Sequence, residues 1–205
     1  MKKITKIIAL ILSLSMSLSF ALATNAAEIE HSGGSGSTPV SLSTTTDGSI
    51  GGNPSATAMR VTVPTALPMA LSQDGVVTTA DNCYITNHSY GAVRVSSVSI
   101  TAAGTWHLTS FGDKTTLASK KVDSNYIGFS ISVGGGEVQR TDTSSEKSQM
   151  LIDRPISGCY MSGVGDPSAN SVKVSYDAIV TPLSTAVTDA TVATVVFIVE
   201  WDTAA

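Results

Sequence analysis

Apolar and polar residues alternate with period two in stretch after stretch of this chain, the pattern of half-buried β-strands rather than of helices. Met59, Val61 and Val63 alternate with Arg60 and Thr62 until Pro64 interrupts, and Pro68 marks a second break. Asp74-Gly75 lies between Pro68-Met69-Ala70-Leu71 and Val76-Val77-Thr78-Thr79, which predicts a hairpin. Cys83-Tyr84-Ile85-Thr86 runs into Asn87-His88-Ser89-Tyr90-Gly91, where Asn and Gly favour a turn. Over residues 92–101 the phase changes: Val93 and Val95 share one register, Val98 and Ile100 the other. One inserted residue restores the match, so a β-bulge near Ser96-Ser97 is expected, turning all four apolar side chains into one core.

Trp106 and Leu108 flank His107 in the next strand, and Ile127, Phe129, Ile131 and Val133 alternate with Gly128, Ser130 and Ser132 before Gly134-Gly135-Gly136 ends the run. Val172, Val174 and Tyr176 oppose Lys173, Ser175 and Asp177, which gives a strand with a polar outer face. The final run, Ala193-Thr194-Val195-Val196-Phe197-Ile198-Val199-Glu200-Trp201, is apolar on both parities until Glu200. Such a strand is expected either at the centre of a sheet, covered on both sides, or at an interface. Residues 138–148, with Glu137 just before them and Arg140, Asp142, Glu146 and Lys147 among them, read as a solvated loop. No stretch has convincing helical periodicity. The expected fold is all-β: a single antiparallel β-sandwich, immunoglobulin-like or jelly-roll-like, of roughly seven to ten strands.

Two other segments precede that body. Lys2, Lys3 and Lys6 lead into an apolar and small-residue stretch over residues 7–20, followed by Ala21-Leu22-Ala23 and Thr24-Asn25-Ala26. This is the pattern of a secretory signal peptide over residues 1–27, its apolar part shorter than the roughly 20 residues a membrane helix needs. The expectation is an exported chain without a transmembrane segment after cleavage. Residues 28–58 hold His31-Ser32-Gly33-Gly34-Ser35-Gly36-Ser37-Thr38, Thr44-Thr45-Thr46-Asp47-Gly48 and Gly51-Gly52-Asn53-Pro54. So little apolar surface does not offset the entropy of ordering, which predicts a disordered arm. Its short alternation, Val40-Ser41-Leu42-Ser43, suits either a linker or a strand added to a sheet edge. The sandwich then occupies residues 59–205.

Composition agrees with short strands and polar turns: 42% of residues are hydrophobic, only 14% are charged and 5% are aromatic, so charged helix-formers are scarce. Removing Lys2, Lys3 and Lys6 takes the 12 basic residues to 9 against an unchanged 16 acidic ones, a net charge of −7. Clustered cations able to neutralise phosphates are missing, so nucleic acid is not expected as a partner. Cys83 and Cys159 are the two cysteines, and an oxidising compartment permits one pairing between them. That bridge would close a loop of about 77 residues, worth on the order of 4 kcal/mol in the chain-entropy model; the other reading is two buried free thiols.

Catalytic constellations are missing in recognisable form. The chain has no Gly-x-Ser-x-Gly elbow, no His-Glu-x-x-His pair and no Gly-x-x-x-x-Gly-Lys loop. Gly134-Gly135-Gly136 follows a strand but opens no helix, and reads as a turn. His31, His88 and His107 have no ligand spacing. Asp81-Asn82, Asp113, Asp123, Asp153 and Asp166 fall in predicted loops and supply the hard oxygens calcium prefers, without forming a dedicated loop. Trp106 and Trp201 are in phase with core residues, whereas Tyr84, Tyr90, Tyr126 and Tyr160 are the aromatic candidates to face a ligand such as a glycan.

With the strands placed, the passage from Ile85-Thr86-Asn87-His88-Ser89 to Val93-Arg94-Val95, the Trp106-His107-Leu108 triplet and the carboxy-terminal strand ending at Trp201 resemble WxL-type bacterial cell-surface domains. The resemblance covers about a third of the chain; a second Trp-x-Leu belongs in the final strand, where this chain has Glu200-Trp201-Asp202-Thr203. It implies a β-rich domain held non-covalently on the peptidoglycan of Gram-positive bacteria. The stretch from Asn87 to Val95 is also similar to passages of secreted biofilm-matrix fibre proteins. Leu67-Pro68-Met69-Ala70 departs from the Leu-Pro-x-Thr-Gly sortase motif, so covalent anchoring is not expected. The functional expectation is a non-enzymatic, secreted or cell-surface structural or adhesive protein without a cofactor. Its partners would be a cell-wall or matrix polysaccharide or other copies of itself, and the alternatives are a glycan- or peptidoglycan-binding module or a polymerising fibre subunit.

Overall fold

The computed structural model describes residues 58–142 and 146–204; the expected signal peptide and almost all of the expected arm, Val40-Ser41-Leu42-Ser43 included, lie outside the described residues. Twelve strands and one four-residue helical turn make up the described chain. The first sheet runs in the order β1 (Val61–Thr62), β4 (Tyr84–Asn87), β11 (Ser171–Val180), β7 (Tyr126–Val133), β6 (His107–Leu108), with β8 (Gln139–Arg140) also on β7. The second is built on β5 (Val93–Ala102), flanked on one side by β9 (Ser148–Ile152) and β10 (Tyr160–Met161) and on the other by β12 (Ala193–Trp201). A hairpin of β2 (Met69–Leu71) and β3 (Val77–Thr79) stands apart from both. Every pairing is antiparallel except β6 on β7, which is parallel.

The inner faces of the two sheets meet in one core. Ile85, Val133, Val174 and Ile131 come from the first sheet, and Val93, Val95, Val98 and Ile100 from the second; all are fully buried. The β5 bulge falls where the phase change put it: Val95 pairs with Val199 and Ser97 with Ile198, leaving Ser96 opposite no residue. The spare Ser96 hydroxyl donates to the Ile198 carbonyl at 3.2 Å. At Asp74-Gly75 the chain turns as expected, with Ser72 N donating to Val76 O at 2.9 Å and the Ser72 hydroxyl bonding the Asp74 carboxylate.

Two segments differ from the sequence reading. Residues 138–148 are not wholly solvated loop: β8 pairs with β7, and Thr141 after it is buried. The Thr141 hydroxyl donates to Thr109 O at 2.6 Å and accepts from Phe129 N at 2.9 Å. These bonds tie Thr109 and Thr141 to the backbone edge of β7, and Ser110 and Phe111 lie close over Gly128, where a Cβ would come within 3.0 Å of both; Ser130 and Ser132, which alternate with the core residues of β7, are buried as well. Ile179, which lies against Gly128, and Leu117 of the helical turn Thr115–Ala118 are both buried outside the main core. The second difference is β12. It is not central: among the described residues its hydrogen-bonded neighbour is β5 alone.

Candidate functional site

β12 forms the outer rim of the second sheet for nine residues. Val195, Phe197, Val199 and Trp201 point inward, half-buried against the core, while Thr194, Val196, Ile198 and Glu200 point outward. Val196 is 47% exposed and Ile198 51%. Among the described residues the outer edge of the strand therefore presents an unpaired row of N–H and C=O groups, beside an outer face that carries Val196 and Ile198. Natural edges are usually blunted by Lys, Pro, a bulge or shortness. This one has no Lys, no Pro and no Gly, and its single charge is Glu200 near the end. The bulge that interrupts the β5–β12 ladder lies on β5, away from the free edge.

The carboxy-terminal end of β12 is held in place by its neighbours. Asp202 N donates to Ala92 O at 3.0 Å, and the Trp201 ring lies over Gly91, where a Cβ would come within 3.0 Å of it. Arg94, opposite Glu200 in the ladder, spans Glu200 and Asp202 at 3.6 Å each. The turn carrying Gly91 is fixed in turn by Asn87, which is fully buried. Its side-chain amide donates to Gly91 O at 2.8 Å and Ser162 O at 2.9 Å, and its carbonyl accepts from Ser89 N at 2.8 Å. A predicted turn residue is thus the clamp between the β4–β5 corner and the loop after β10.

The four candidate tyrosines are spread apart. Tyr84 is exposed on β4, opposite Lys173 in the first sheet; Tyr160 is exposed on β10, opposite Arg94 in the second. Tyr90 is 85% exposed in the β4–β5 connection. Tyr126 is half-buried at the start of β7, its ring 5.7 Å from that of His107 and 4.9 Å from the Lys120 ammonium. In the same corner His107 Nδ1 and Ser124 Oγ are buried without a hydrogen-bond partner.

The acidic residues considered for calcium are likewise dispersed, and two of them order a turn of their own. Asp113 accepts from Thr115 N at 3.3 Å, and Asp166 accepts from Ser168 Oγ at 2.6 Å. Asp123 accepts from Ser184 N at 2.9 Å, and the Ser184 hydroxyl bond holds its carboxyl below the usual range. Asp81 and Asp153 are exposed in connections next to β4 and β9. Among the described residues no three His, Cys, Asp or Glu side chains converge as metal ligands would. Cys83 and Cys159 are both buried in the core and both carry free thiols. Burial pushes the Cys159 thiol above its ordinary value.

No family model matches the chain, and no curated protein or solved structure matches it either. What the surface does has to follow from its own residues. The feature that sequence reasoning placed least well, the position of β12 within its sheet, is the one with the clearest capacity for contact. Its signal was present in the run of apolar residues on both parities, but sheet order decides whether the second apolar face meets the core or the outside.

Proposed function

We propose that this chain is a non-enzymatic structural or adhesive β-sandwich, exported to the envelope or extracellular matrix of a Gram-positive-type bacterium and acting through contact rather than chemistry. The supporting observation is the β12 edge: a nine-residue strand whose outer side has no paired strand among the described residues, with Val196 and Ile198 exposed beside it. Strand addition at such an edge supplies main-chain hydrogen bonds, and the outward side chains supply selectivity. The basic and apolar pattern of residues 1–27 supports export. Tyr84 and Tyr160 stand on different sheets, which favours the edge over a shared aromatic platform for a glycan.

Fractionation of producing cells into medium, salt-washable wall and insoluble matrix tests the reading. The wild-type chain is expected in the wall or matrix fraction, and the double substitution Val196→Lys/Ile198→Lys is expected to shift it to the medium. Both positions are exposed, so the domain keeps its core. Equal partition of the two chains would remove the edge from the function.

A further inference from the structure

We propose that the partner of the β12 edge is β12 of a second copy, paired antiparallel about Phe197 to give a closed two-fold dimer with a continuous sheet across it. This rests on the reading of β12 as a contact edge and names what it contacts.

Three observations lead to the second copy. The first is self-complementarity, which a two-fold interface requires because the same patch serves both sides. With Phe197 opposite Phe197 of the second copy, Val196 faces Ile198, Val195 faces Val199, Thr194 faces Glu200 and Ala193 faces Trp201. Each face of the shared sheet then matches apolar with apolar and polar with polar, and the small Ala193 sits opposite the large Trp201. Cross-strand neighbours of this kind are the units that stabilise a sheet.

The second is charge. Each exported chain carries a net charge of −7, since 9 basic residues remain against 16 acidic, so two copies repel over most of their surfaces. β12 is an exception: Glu200 is its one charged residue, Arg94 neutralises it at 3.6 Å, and the register sets it against Thr194. Like charges do not meet anywhere along the nine pairs.

The third is length. β1, β6, β8 and β10 are two residues each, and β9, the other rim of the second sheet, is five. Among the described strands at a rim only another β12 offers nine residues to a nine-residue edge. In residues 28–58 the alternating run, Val40-Ser41-Leu42-Ser43, is four residues long and would leave more than half of the edge unpaired. Pairing β12 with itself uses the long edge of both chains, so the assembly closes at two copies instead of growing into a fibre.

Analytical ultracentrifugation of the exported chain at tens of micromolar is expected to give a dimer. Val196→Lys/Ile198→Lys places Lys opposite Lys twice across the axis and should raise the dissociation constant by about 100-fold or more, giving a monomer that still melts cooperatively, at a temperature that no longer depends on protein concentration. Val196→Lys/Ile198→Glu places Lys opposite Glu at the same two contacts and should remain a dimer. A mixture of Val196→Cys and Ile198→Cys chains should cross-link far more efficiently than either chain alone, because position 196 faces 198 and not itself.

A monomeric wild-type chain would overturn the dimer, as would open-ended fibres or a Lys/Glu variant as dissociated as the Lys/Lys one. Loss of the dimer on deleting residues 28–57 would overturn it too, by handing the edge to the arm. A monomer whose Lys/Lys variant still leaves the wall fraction would refute the second copy as partner and leave the contact function standing.

Discussion

Replacing Asn87 by Ala should cost more stability than any other polar substitution on the surface-facing turns. The side chain makes three hydrogen bonds of 2.8, 2.9 and 2.8 Å, two as donor to Gly91 O and Ser162 O and one as acceptor from Ser89 N, inside a fully buried site. Truncation leaves those three backbone groups without their partner. An abandoned buried group costs about 1–3 kcal/mol, but Gly91 and Ser162 are half-buried and regain some water. The sum is about 3 kcal/mol, a sizeable share of the roughly 5–15 kcal/mol that holds a domain together. At this size each kcal/mol lowers the melting temperature by about 2–4 °C, so a fall of about 10 °C is expected by circular dichroism. Asn87→Asp keeps the shape but turns an oxygen toward two carbonyls. Its cost should be at least as large at neutral pH and shrink on acidification, because the buried carboxyl is tolerated only when protonated. Since the same turn seats Trp201, Asn87→Ala should also weaken the proposed dimer. Melting of Asn87→Ala within 2 °C of wild type would refute the clamp.

Gly158 has φ +92°, and a Cβ there would lie 2.3 Å from Val133 O, so Gly158→Ala should lose about 2–3 kcal/mol or more in urea denaturation, whereas Gly165→Ala, with open space around it, should be nearly neutral. Tyr176 Oη donates to Pro68 O at 2.5 Å and accepts from Ala80 N at 3.2 Å, tying the β2–β3 hairpin to β11; Tyr176→Phe should cost about 1–2 kcal/mol and expose that hairpin to proteolysis first. Burial raises the Tyr176 hydroxyl and the Cys159 thiol above their ordinary values of 10.0 and 9.0, so the folded chain holds protons that the unfolded chain releases. Stability is therefore complete below about pH 9 and falls as pH climbs toward the raised native values, and Tyr176→Phe should flatten the upper part of that fall in pH-dependent melting. Both thiols should resist Ellman's reagent at pH 8 until denaturant is added; rapid reaction of either in the native chain would contradict their burial.

Strand identity was legible wherever one face of a strand meets the core and the other does not. β5, β7 and β11 follow from alternation alone, and the one-residue phase slip located the unpaired Ser96. Legibility failed where cover comes from segments distant in sequence. Nothing in Gly128, Ser130 and Ser132 reveals that Ser110 and Phe111 lie against the first and that the two serines are buried, because a short residue suits a solvent face and a covered one equally. β9 was missed for a related reason: an irregularity in its pairing with β5 puts Leu151 and Ile152, adjacent in sequence, both out of water, which erases the period of two. The role of Asn87 was visible only as a turn preference, since two of its partners, Ser162 and Asn170, are 75 and 83 residues away.

β12 shows how a residue pattern constrains without deciding. An apolar run on both parities suits a strand with both faces removed from water, and here the inner face is covered by the sandwich itself while Val196 and Ile198 are exposed on the outer one. The outer face is not covered by any described part of the chain, although each of the common protections of an exposed edge would have required only one or two substitutions. Lys at 196 or 198, or Pro at any position with an outward N–H, would have left the core untouched. Val196 and Ile198 beside a free nine-residue strand edge therefore leave the cover of that edge to something other than the described residues. In the proposed dimer, the near-palindromic order of side chains about Phe197 is what favours a like partner over an unlike one.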